Sequence, residues 1–321
     1  TTCRNWRRSR NLIFGFLELK GLTMSGNLMS ELQGRSLFPI SGTKVDCAVS
    51  GGADSLALLL LAVNADLKVT AWHVDHGLRE TSNDEGEMVF KVASDLGVKA
   101  RRIKAFVEDG PNLEARARDA RIKVLPPQVL TGHTADDQAE TVIMNLLRGS
   151  GVQGSAGIGE PHRRPILGLR RSETKELCLL EKLDPVNDPM NFDPRFTRNR
   201  VRNEVIPLLA EVAGRDPVPL LARYANLAGE ASGILGDLVK DLDITDVRSV
   251  DDNSDPVVKF AIQEWLSDKI GLPPDSSSIN RVLQIVRGEI KGTEIPGGFR
   301  VDRSQGKVRF SVNAKVSQKT D

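Results

Sequence analysis

The stretch AVSGGADSLALLLLAV, residues 48–63, decides the fold of this chain. A short apolar run, residues 45–49, leads into it, and an almost wholly apolar run follows the two glycines. The first run predicts a buried strand and the second a buried helix, which together form the repeating unit of a parallel α/β sheet. A turn between them needs only glycine, whereas Ser50, Asp54 and Ser55 crowd this junction. Because open α/β sheets bind ligands beyond the carboxyl ends of their strands, the sequence predicts a binding site here.

The same alternation of strand and helix patterns continues through the first half of the chain. Further strands are predicted at residues 68–75, 99–106 and 128–133, and helices at residues 83–97, 112–125 and 136–149. Strands that alternate with helices in this way predict an α/β fold with a doubly wound parallel sheet.

The second half of the chain has a different pattern. It is mainly helical, and it ends in a hairpin pattern that turns at SQG, residues 304–306. A chain of 321 residues is also longer than a typical single domain. We therefore predict a catalytic domain over residues 24–210 and a smaller helical or α+β domain over residues 211–321. Residues 1–23 are predicted to lie outside the fold as a leader.

The composition excludes several classes of protein. The net charge of +1 does not indicate a protein that coats nucleic acid without specificity. The three cysteines form no C-x-x-C pair, and no His/Cys cluster has metal-ligand spacing, which argues against a zinc or iron–sulfur site. The longest apolar run, LALLLLAV, falls far short of the roughly 20 residues that span a membrane. We predict a cytoplasmic protein with no membrane partner. An acid-rich segment, residues 237–255, is predicted to be a solvated linker or a surface stretch.

The loop of residues 50–55 has the chemistry of a phosphate site. Gly51 and Gly52 allow backbone N–H groups to converge on an anion, and the following helix N-terminus adds about half a positive charge. Ser50 and Ser55 supply hydroxyl groups. Asp54 adds negative charge beside a phosphate, which is explained if it binds Mg²⁺. No G-x-x-x-x-G-K-[ST] occurs in the chain, so this is not a Walker A loop.

A second group of polar residues opens the helix that follows the predicted fourth strand. His133, Asp137 and Glu140 are spaced i, i+4 and i+7, which places them on one helix face. Asp136 lies off this face and is predicted to cap the helix. Because carboxyl ends of parallel strands share one edge of a sheet, the three residues are expected near Asp54. Plain helix capping is the alternative for any one of these acids.

Specific motifs extend this interpretation. SGGADS, residues 50–55, resembles the PP-loop of the ATP pyrophosphatases, which split ATP into AMP and pyrophosphate. Three further stretches narrow the resemblance: residues 73–85, residues 131–151 with GHTADDQAET, and residues 164–209 with FTRNRVR. Over residues 44–210 the chain resembles the tRNA(Ile)-lysidine synthetases. This resemblance implies an adenine-nucleotide α-hydrolase-like fold and a ligase.

The family resemblance also implies a reaction in two steps. ATP adenylates the C2 carbonyl oxygen of cytidine 34 in tRNA(Ile) with the anticodon CAU, and pyrophosphate leaves. The ε-amine of free L-lysine then displaces AMP and forms lysidine. ATP, Mg²⁺, L-lysine and tRNA(Ile) are therefore the expected substrates, cofactor and partner. The domain over residues 211–321 is expected to be an accessory domain that binds the tRNA. The sequence leaves the oligomeric state open, with a homodimer as one option.

The resemblance further implies roles for individual residues. Asp54 and Asp137 are implied to bind Mg²⁺ and phosphate. His133 and Glu140 are implied to act on the cytosine or on the lysine amine. Arg118 is implied to stabilise charge on the transferring phosphate. The implied ATP site consists of Ser50, Gly51, Gly52, Ala53, Asp54, Ser55, His73 and Asp75.

Two arginine-rich runs, HRRPILGLRR (residues 162–171) and RFTRNRVR (residues 195–202), are predicted to bind the phosphates of tRNA. They stand out in a nearly neutral chain, although such runs are often only solvated surface. The residues predicted to contact tRNA are Arg163, Arg164, Arg195, Arg198, Arg200 and Arg202.

Two other functions fit parts of the same pattern. One is a PP-loop tRNA cytidine thiolase, which would need a cysteine pair or cluster that the chain lacks. The other is a catalytically dead tRNA-binding homologue, for which Asp54, Asp137 and Glu140 would be unnecessary. A pyrophosphate-release assay separates the three, since only the ligase requires both lysine and the right tRNA.

Overall fold

The computed structural model describes residues 26–75, 82–106, 113–186 and 193–312. The chain divides into two compact units, the first ending at Asn226 and the second beginning at Leu227. The domain limits expected from the sequence, 24–210 and 211–321, stay predictions, and the proposed leader lies outside the described residues. No helix in the described ranges is long and apolar enough to cross a membrane.

The first unit contains a parallel sheet of strands β1 (Lys44–Ala48), β2 (Lys68–Asp75) and β3 (Lys99–Lys104), in that spatial order. Cys47 pairs with Ala71 of β2 on one side and with Leu130 on the other. Strands β2 and β3 therefore lie on one side of β1, and the later segment around Leu130 lies on the other side. In a doubly wound sheet such a switch opens a crevice at the carboxyl ends of the strands. The predicted fold class is confirmed.

The predicted fourth strand, residues 128–133, is reduced to the single bridge at Leu130. Its backbone N–H donates to the carbonyl of Asp46 at 2.8 Å, and its carbonyl accepts from Ala48 at 2.9 Å. The neighbouring N–H groups bond elsewhere: Val129 donates to Pro126, and Thr131 donates to Arg163. Among the described residues Leu130 is the one member of this segment that pairs with β1, so the prediction of a full strand was wrong.

The helices of the first unit alternate with these strands. They are α1 (residues 26–34), α2 (Ala53–Asn64), α3 (Ser82–Asp95), α4 (Leu113–Val124), α5 (Ala135–Leu147), α6 (Val152–Ser155), α7 (Arg171–Leu180), α8 (Thr197–Arg200) and α9 (Ile206–Ala213). A 3₁₀ turn covers Pro161–Arg163, and one π-helical turn, Val201–Val205, joins α8 to α9. Helix α10 (Val218–Val239) contains the division between the two units.

Helix α2 lies at the centre of the first unit. Leu56, Leu58 and Leu59 are fully buried, as expected for a helix that is apolar on all sides. Leu177 and Cys178 of α7 belong to the same buried cluster. This packing fixes the N-terminus of α7 beside that of α2, which positions the polar residues described below.

The second unit combines helices with an antiparallel sheet. Its helices are α11 (Val247–Val250), α12 (Asp255–Ile270) and α13 (Ser276–Arg287), and its strands are β4 (Gly292–Ile295), β5 (Phe299–Ser304) and β6 (Lys307–Val312). The predicted hairpin is present between β5 and β6, which turn at Gln305 and Gly306. Trp265 packs edge-on against Phe310, with ring centroids 5.9 Å apart.

The acid-rich segment 237–255 had been predicted to be solvated, but part of it is buried. Ile244 and Val250 are buried in the core of the second unit. Asp246 caps α11 by accepting from the backbone N–H of Arg248, and it pairs with Lys307 at 2.8 Å. With Val239, three apolar residues of this acid-rich segment are buried in that core.

Candidate active site

The glycine-rich loop between β1 and α2 has the geometry of an anion site. Gly51 has a φ of 88°, in the left-handed region that only glycine enters freely. Gly52 is the N-cap of α2, and no side chain caps the first turn. The hydroxyl of Ser55 accepts from the backbone N–H of Ser50 at 3.1 Å and donates to the Gly52 carbonyl at 2.8 Å. The helix N-terminus therefore faces the crevice with uncapped backbone N–H groups, as an anion site requires.

The segment after Leu130 approaches this loop very closely at Gly132. A Cβ added to Gly132 would lie 2.6 Å from the backbone carbonyl oxygen of Asp54 and 3.0 Å from the nitrogen of Ser55. Those atoms belong to the backbone at the start of a buried helix and cannot turn aside. The absence of a side chain at residue 132 is thus what lets the two halves of the site meet.

Substitution Gly132→Ala is expected to abolish turnover while much of the fold survives. The added methyl group must push the start of α5 away from Asp54, and a displacement of about 1 Å can lower a rate by roughly a hundredfold. Steady-state kinetics and circular dichroism measure the two effects. Gly149→Ala is not a suitable control, because its φ is 75°. Gly159→Ala is, since nothing lies within 4 Å of its Cβ position. Equal activity of the two variants would contradict the close approach.

Helix α5 begins with a capping box between Thr134 and Asp137. The Asp137 carboxylate accepts from the backbone N–H of Thr134 at 2.9 Å and from its hydroxyl at 3.0 Å. Asp136, which had been predicted to cap the helix, instead accepts from Arg170 and from the backbone N–H of Arg171. The third residue of the helix can reach back to the N-cap, which explains the exchange of roles.

Arg171, the first residue of α7, links the acid of α2 to the acids of α5. Its Nη2 donates to Asp137 at 2.8 Å, its Nη1 to Glu140 at 3.0 Å, and its Nε to Asp54 at 3.3 Å. Thr174, one turn further along α7, donates its hydroxyl to the other oxygen of Asp54. The predicted grouping of Asp54, Asp137 and Glu140 is therefore present, with a guanidinium group at its centre.

Glu140 is fully buried, with 0% of its side chain exposed, and three guanidinium groups surround it. Arg198 and Arg202 each donate to it at 2.7 Å, in addition to Arg171. Burial opposes ionisation, but the hydrogen bond from Arg202 and the charge of Arg171 outweigh it and lower the pKa of Glu140. Arg198 and Arg202 thus face the acids and do not form the open basic surface predicted from their sequence run.

The other two acids differ in their ionisation. Burial raises the pKa of Asp54, and the hydrogen bond from Thr174 and the charge of Arg171 offset only part of this effect. Burial acts on Asp137 too, but the charges of Arg171 and Arg198 outweigh it and hold the pKa of Asp137 at about 2. Asp137 is therefore a carboxylate at neutral pH, while the pKa of Asp54 is shifted in the opposite direction.

The remaining predicted tRNA contacts are held by nearby acids. Arg163 and Arg164 both pair with Glu160. Arg195 pairs with Asp193 and is 84% exposed, and Arg200 pairs with Glu204 and is 61% exposed. Of the six arginines predicted to bind tRNA, Arg195 and Arg200 are the two with more than half of the side chain in solvent.

The predicted nucleotide rim lies at the carboxyl end of β2. His73 Nδ1 is 3.0 Å from the carbonyl oxygen of Val49, so this nitrogen is the donor. Among the described residues its Nε2, which is buried, has no hydrogen-bond partner. Asp75 is also buried, and His133 Nδ1 lies 2.8 Å from the hydroxyl of Thr131. Arg118 lies on α4, and its side chain is outside the described part of the structure.

Asp54 and Asp137 have the donor chemistry of a magnesium site. Magnesium in phosphate sites takes one or two carboxylates from the protein and its other ligands from phosphate and water. One guanidinium group bridges the two acids, so a single ion could be shared between them if Arg171 moved aside. The described residues contain no cluster of three or more metal-ligating side chains, which leaves the other ligands to a substrate.

Sequence reasoning missed the central role of Arg171 and Thr174. Arg171 had been grouped with the basic runs, because nothing local in RRSET distinguishes an inward arginine from a surface one. Its partners lie 31 to 117 residues away in the chain. The position at the first turn of a helix, beside two acidic helix starts, becomes visible only in the fold.

Comparison with known proteins agrees with this geometry. The family model described as a PP-loop domain matches residues 28–209. A tRNA(Ile)-lysidine synthase from Nocardia farcinica is 37% identical over 279 residues, which cover 81% of this chain and 87% of the relative. One from Mycolicibacterium paratuberculosis is 45% identical over 203 residues, covering 60% and 62% of the two chains.

Among solved structures, the U34-tRNA thiolase NcsA from Methanococcus maripaludis is similar with a TM-score of 0.52. The match covers 65% of this chain and 80% of the thiolase, at 17% identity, and therefore concerns the fold alone. The family model and the curated relatives carry the assignment further than the fold. The chain belongs to the tRNA(Ile)-lysidine synthase family of PP-loop proteins.

Proposed function

We propose that this protein is a ligase that joins L-lysine to C2 of cytidine 34 in tRNA(Ile) with the anticodon CAU. ATP is consumed, and AMP and pyrophosphate are released. The observation that carries the proposal is the meeting of Asp54, Asp137 and Glu140 beside an uncapped PP-loop. Membership of the lysidine synthase family gives the substrate.

The first step needs the triphosphate aligned with the cytosine oxygen. The backbone N–H groups at the start of α2 and the hydroxyl of Ser50 are placed to hold phosphate oxygens. His73 and Asp75, at the carboxyl end of β2, would lie at the adenosine end of the site. Holding both reactants in line can lower the barrier by about 7–11 kcal/mol.

The second step needs a binding site for an ammonium group that later loses a proton. Asp137 and Glu140 are carboxylates one turn apart on α5, and their oxygens face the same guanidinium group. The lysine ε-ammonium group would bind this pair in place of that guanidinium group. His133, near the start of the same helix, is the neighbouring group placed to take up the proton.

Magnesium is part of the proposal, with Asp54 and Asp137 as the residues that would hold it. When bound, the ion would neutralise phosphate charge and orient the triphosphate. Thr174 and Thr134 already donate to one oxygen of each acid, and Arg171 donates to the other, so the ion would bind only after that guanidinium group has moved.

Mass spectrometry of tRNA after reaction tests this function. Incubation of a tRNA(Ile) transcript with ATP and lysine should convert cytidine 34 to lysidine, and omission of lysine should prevent it. A transcript of an elongator tRNA(Met), which has the same anticodon bases, is the matched control. No modification at position 34 would refute the proposed reaction.

The thiolase alternative finds no support at the cysteines. Cys47 and Cys178 are both buried, and burial raises the pKa of each to about 12. Sulfur transfer uses thiolates, which form at low pKa in exposed surroundings. The described cysteines are therefore poorly suited to carry sulfur to a base.

The exposed arginines provide a test of the tRNA surface. Double substitution of Arg195 and Arg200 by Glu should weaken tRNA binding and make the plot of log affinity against log salt shallower. Each lost phosphate contact should change that slope by ~0.7–0.9. Filter binding at several salt concentrations gives the slope. Lys68→Glu is the control, because Lys68 is the first residue of β2, at the end of the strand away from the predicted site. An unchanged slope in the double variant would mean that both arginines are only solvated surface.

A further inference from the structure

The carboxylate of Asp137 has no acceptor position left for a substrate. A carboxylate offers about four lone-pair positions. One oxygen of Asp137 accepts from Arg171 at 2.8 Å and from Arg198 at 3.0 Å. The other accepts from the backbone N–H and the hydroxyl of Thr134. All of its positions are therefore occupied by the protein itself.

Glu140 is saturated in the same way. One of its oxygens accepts from Arg171 at 3.0 Å and from Arg202 at 2.7 Å. The other accepts from Arg198 at 2.7 Å and from Arg202 at 3.0 Å. An ammonium group cannot bind this pair of acids unless a guanidinium group leaves first.

Arg171 differs from Arg198 and Arg202 because it lies beside the predicted phosphate site. It is the one of the three that also contacts Asp54, at the start of the helix whose N-terminus faces the phosphate site. Its side chain is 17% exposed, close to the 19% of Arg198 and the 24% of Arg202, so the contact with Asp54 is what sets it apart. Phosphate oxygens bound at the loop would offer this guanidinium group the bidentate partner that it prefers.

We propose that Arg171 occupies the ammonium site of the lysine substrate until nucleotide binds. Its guanidinium group then moves from Asp137 and Glu140 to the phosphates of ATP. This exchange opens one acceptor position on each acid, on the side facing the loop. The inference rests on the proposed function, and it assigns to Arg171 the task of ordering the two substrates.

The exchange predicts how nucleotide changes the affinity of the protein for lysine. If nucleotide removes a competitor from the lysine site, nucleotide must raise the affinity for lysine, and lysine must raise the affinity for nucleotide by the same factor. Such coupling factors are typically about 5–150. A site without the competitor should bind lysine equally well with and without nucleotide.

Calorimetric titration of lysine into the full chain tests this coupling. The non-hydrolysable analogue α,β-methylene-ATP is either present or absent. For the unaltered protein we expect the analogue to strengthen lysine binding by at least about fivefold. For Arg171→Met, which keeps volume but loses the charge and the donors, we expect lysine to bind without the analogue and the coupling factor to fall to about one.

Arg170→Met is the matched control, because Arg170 is the adjacent residue and pairs with Asp136 and Asp216 instead. Its coupling factor should equal that of the unaltered protein. Should Arg171→Met fail to fold, Arg171→Lys keeps a charge that cannot span three carboxylates, and a reduced coupling factor is expected there.

Several results would overturn the inference. These are equal lysine affinity with and without analogue in the unaltered protein, undetectable lysine binding in both conditions, or full coupling in the Arg171 variants. Loss of coupling only on substitution of Arg198 and Arg202 would assign the exchange to those residues instead. The mass-spectrometric assay distinguishes this failure from that of the proposed function, since lysidine can form without any coupling through Arg171.

Discussion

Substitution Glu140→Gln should destabilise the first unit by about 3–5 kcal/mol, the range found when one partner of a buried ion pair is removed. The replacement keeps the volume but turns one acceptor oxygen into an NH₂ group that faces guanidinium donors. Arg171, Arg198 and Arg202 all lose a buried charged acceptor at once. Urea unfolding and scanning calorimetry measure the change, and turnover should be lost with it.

Glu204→Gln is the matched control for this substitution. Glu204 pairs with Arg200 one helical turn away, and both side chains are more than half exposed. Surface pairs of this kind contribute little to stability, so no measurable change is expected. Equal stability of the two variants would show that the buried cluster does not stabilise the fold and that its value lies in catalysis alone.

Much of the architecture was predictable because local pattern and burial agree. Strand β2 has the limits expected from the sequence, Lys68–Asp75. The meeting of Asp54 with Asp137 and Glu140 followed from a general property of parallel sheets, whose strands end at one edge. No side-chain detail was needed for that prediction.

The arginines were not predictable in the same way. Arg198 and Arg202 read as a surface run, since no acid interrupts them in the sequence. Their carboxylate partners lie 58 to 62 residues earlier in the chain. Whether an arginine faces tRNA or an internal acid depends on which segments the fold brings together, and helical spacing alone cannot show this.

The predictions for the fourth strand and for the acid-rich segment were wrong for a related reason. At residues 128–133 the apolar pattern was correct, but pairing with β1 is limited to Leu130 in the described part of the structure. At residues 237–255 the charge pattern hid Ile244 and Val250, which are buried in the second core. Single apolar residues carry no periodicity, so pattern reasoning gives them too little weight.

A substitution at Asp54, in the nucleotide half of the site, should have a large effect on the rate of the first step. Asp54→Asn should lower the rate of adenylation by at least about a hundredfold, since a charge placed beside the reacting phosphates is removed. Stability should change little, because the acid is partly solvated and an Asn oxygen can still accept from Thr174. Pyrophosphate release in the presence of tRNA and ATP measures the rate, and urea unfolding measures the stability.

The magnesium dependence of that variant separates two roles for Asp54. If the carboxylate binds the ion, Asp54→Asn should need a higher Mg²⁺ concentration for half-maximal rate. If it only anchors Arg171, the Mg²⁺ requirement should stay the same while the rate falls. Asp66→Asn is the control, because Asp66 accepts a hydrogen bond from Ser41 on the exposed surface. Near-normal adenylation by Asp54→Asn would contradict both roles, and the acid would then be only the anchor of helix α7 through Thr174.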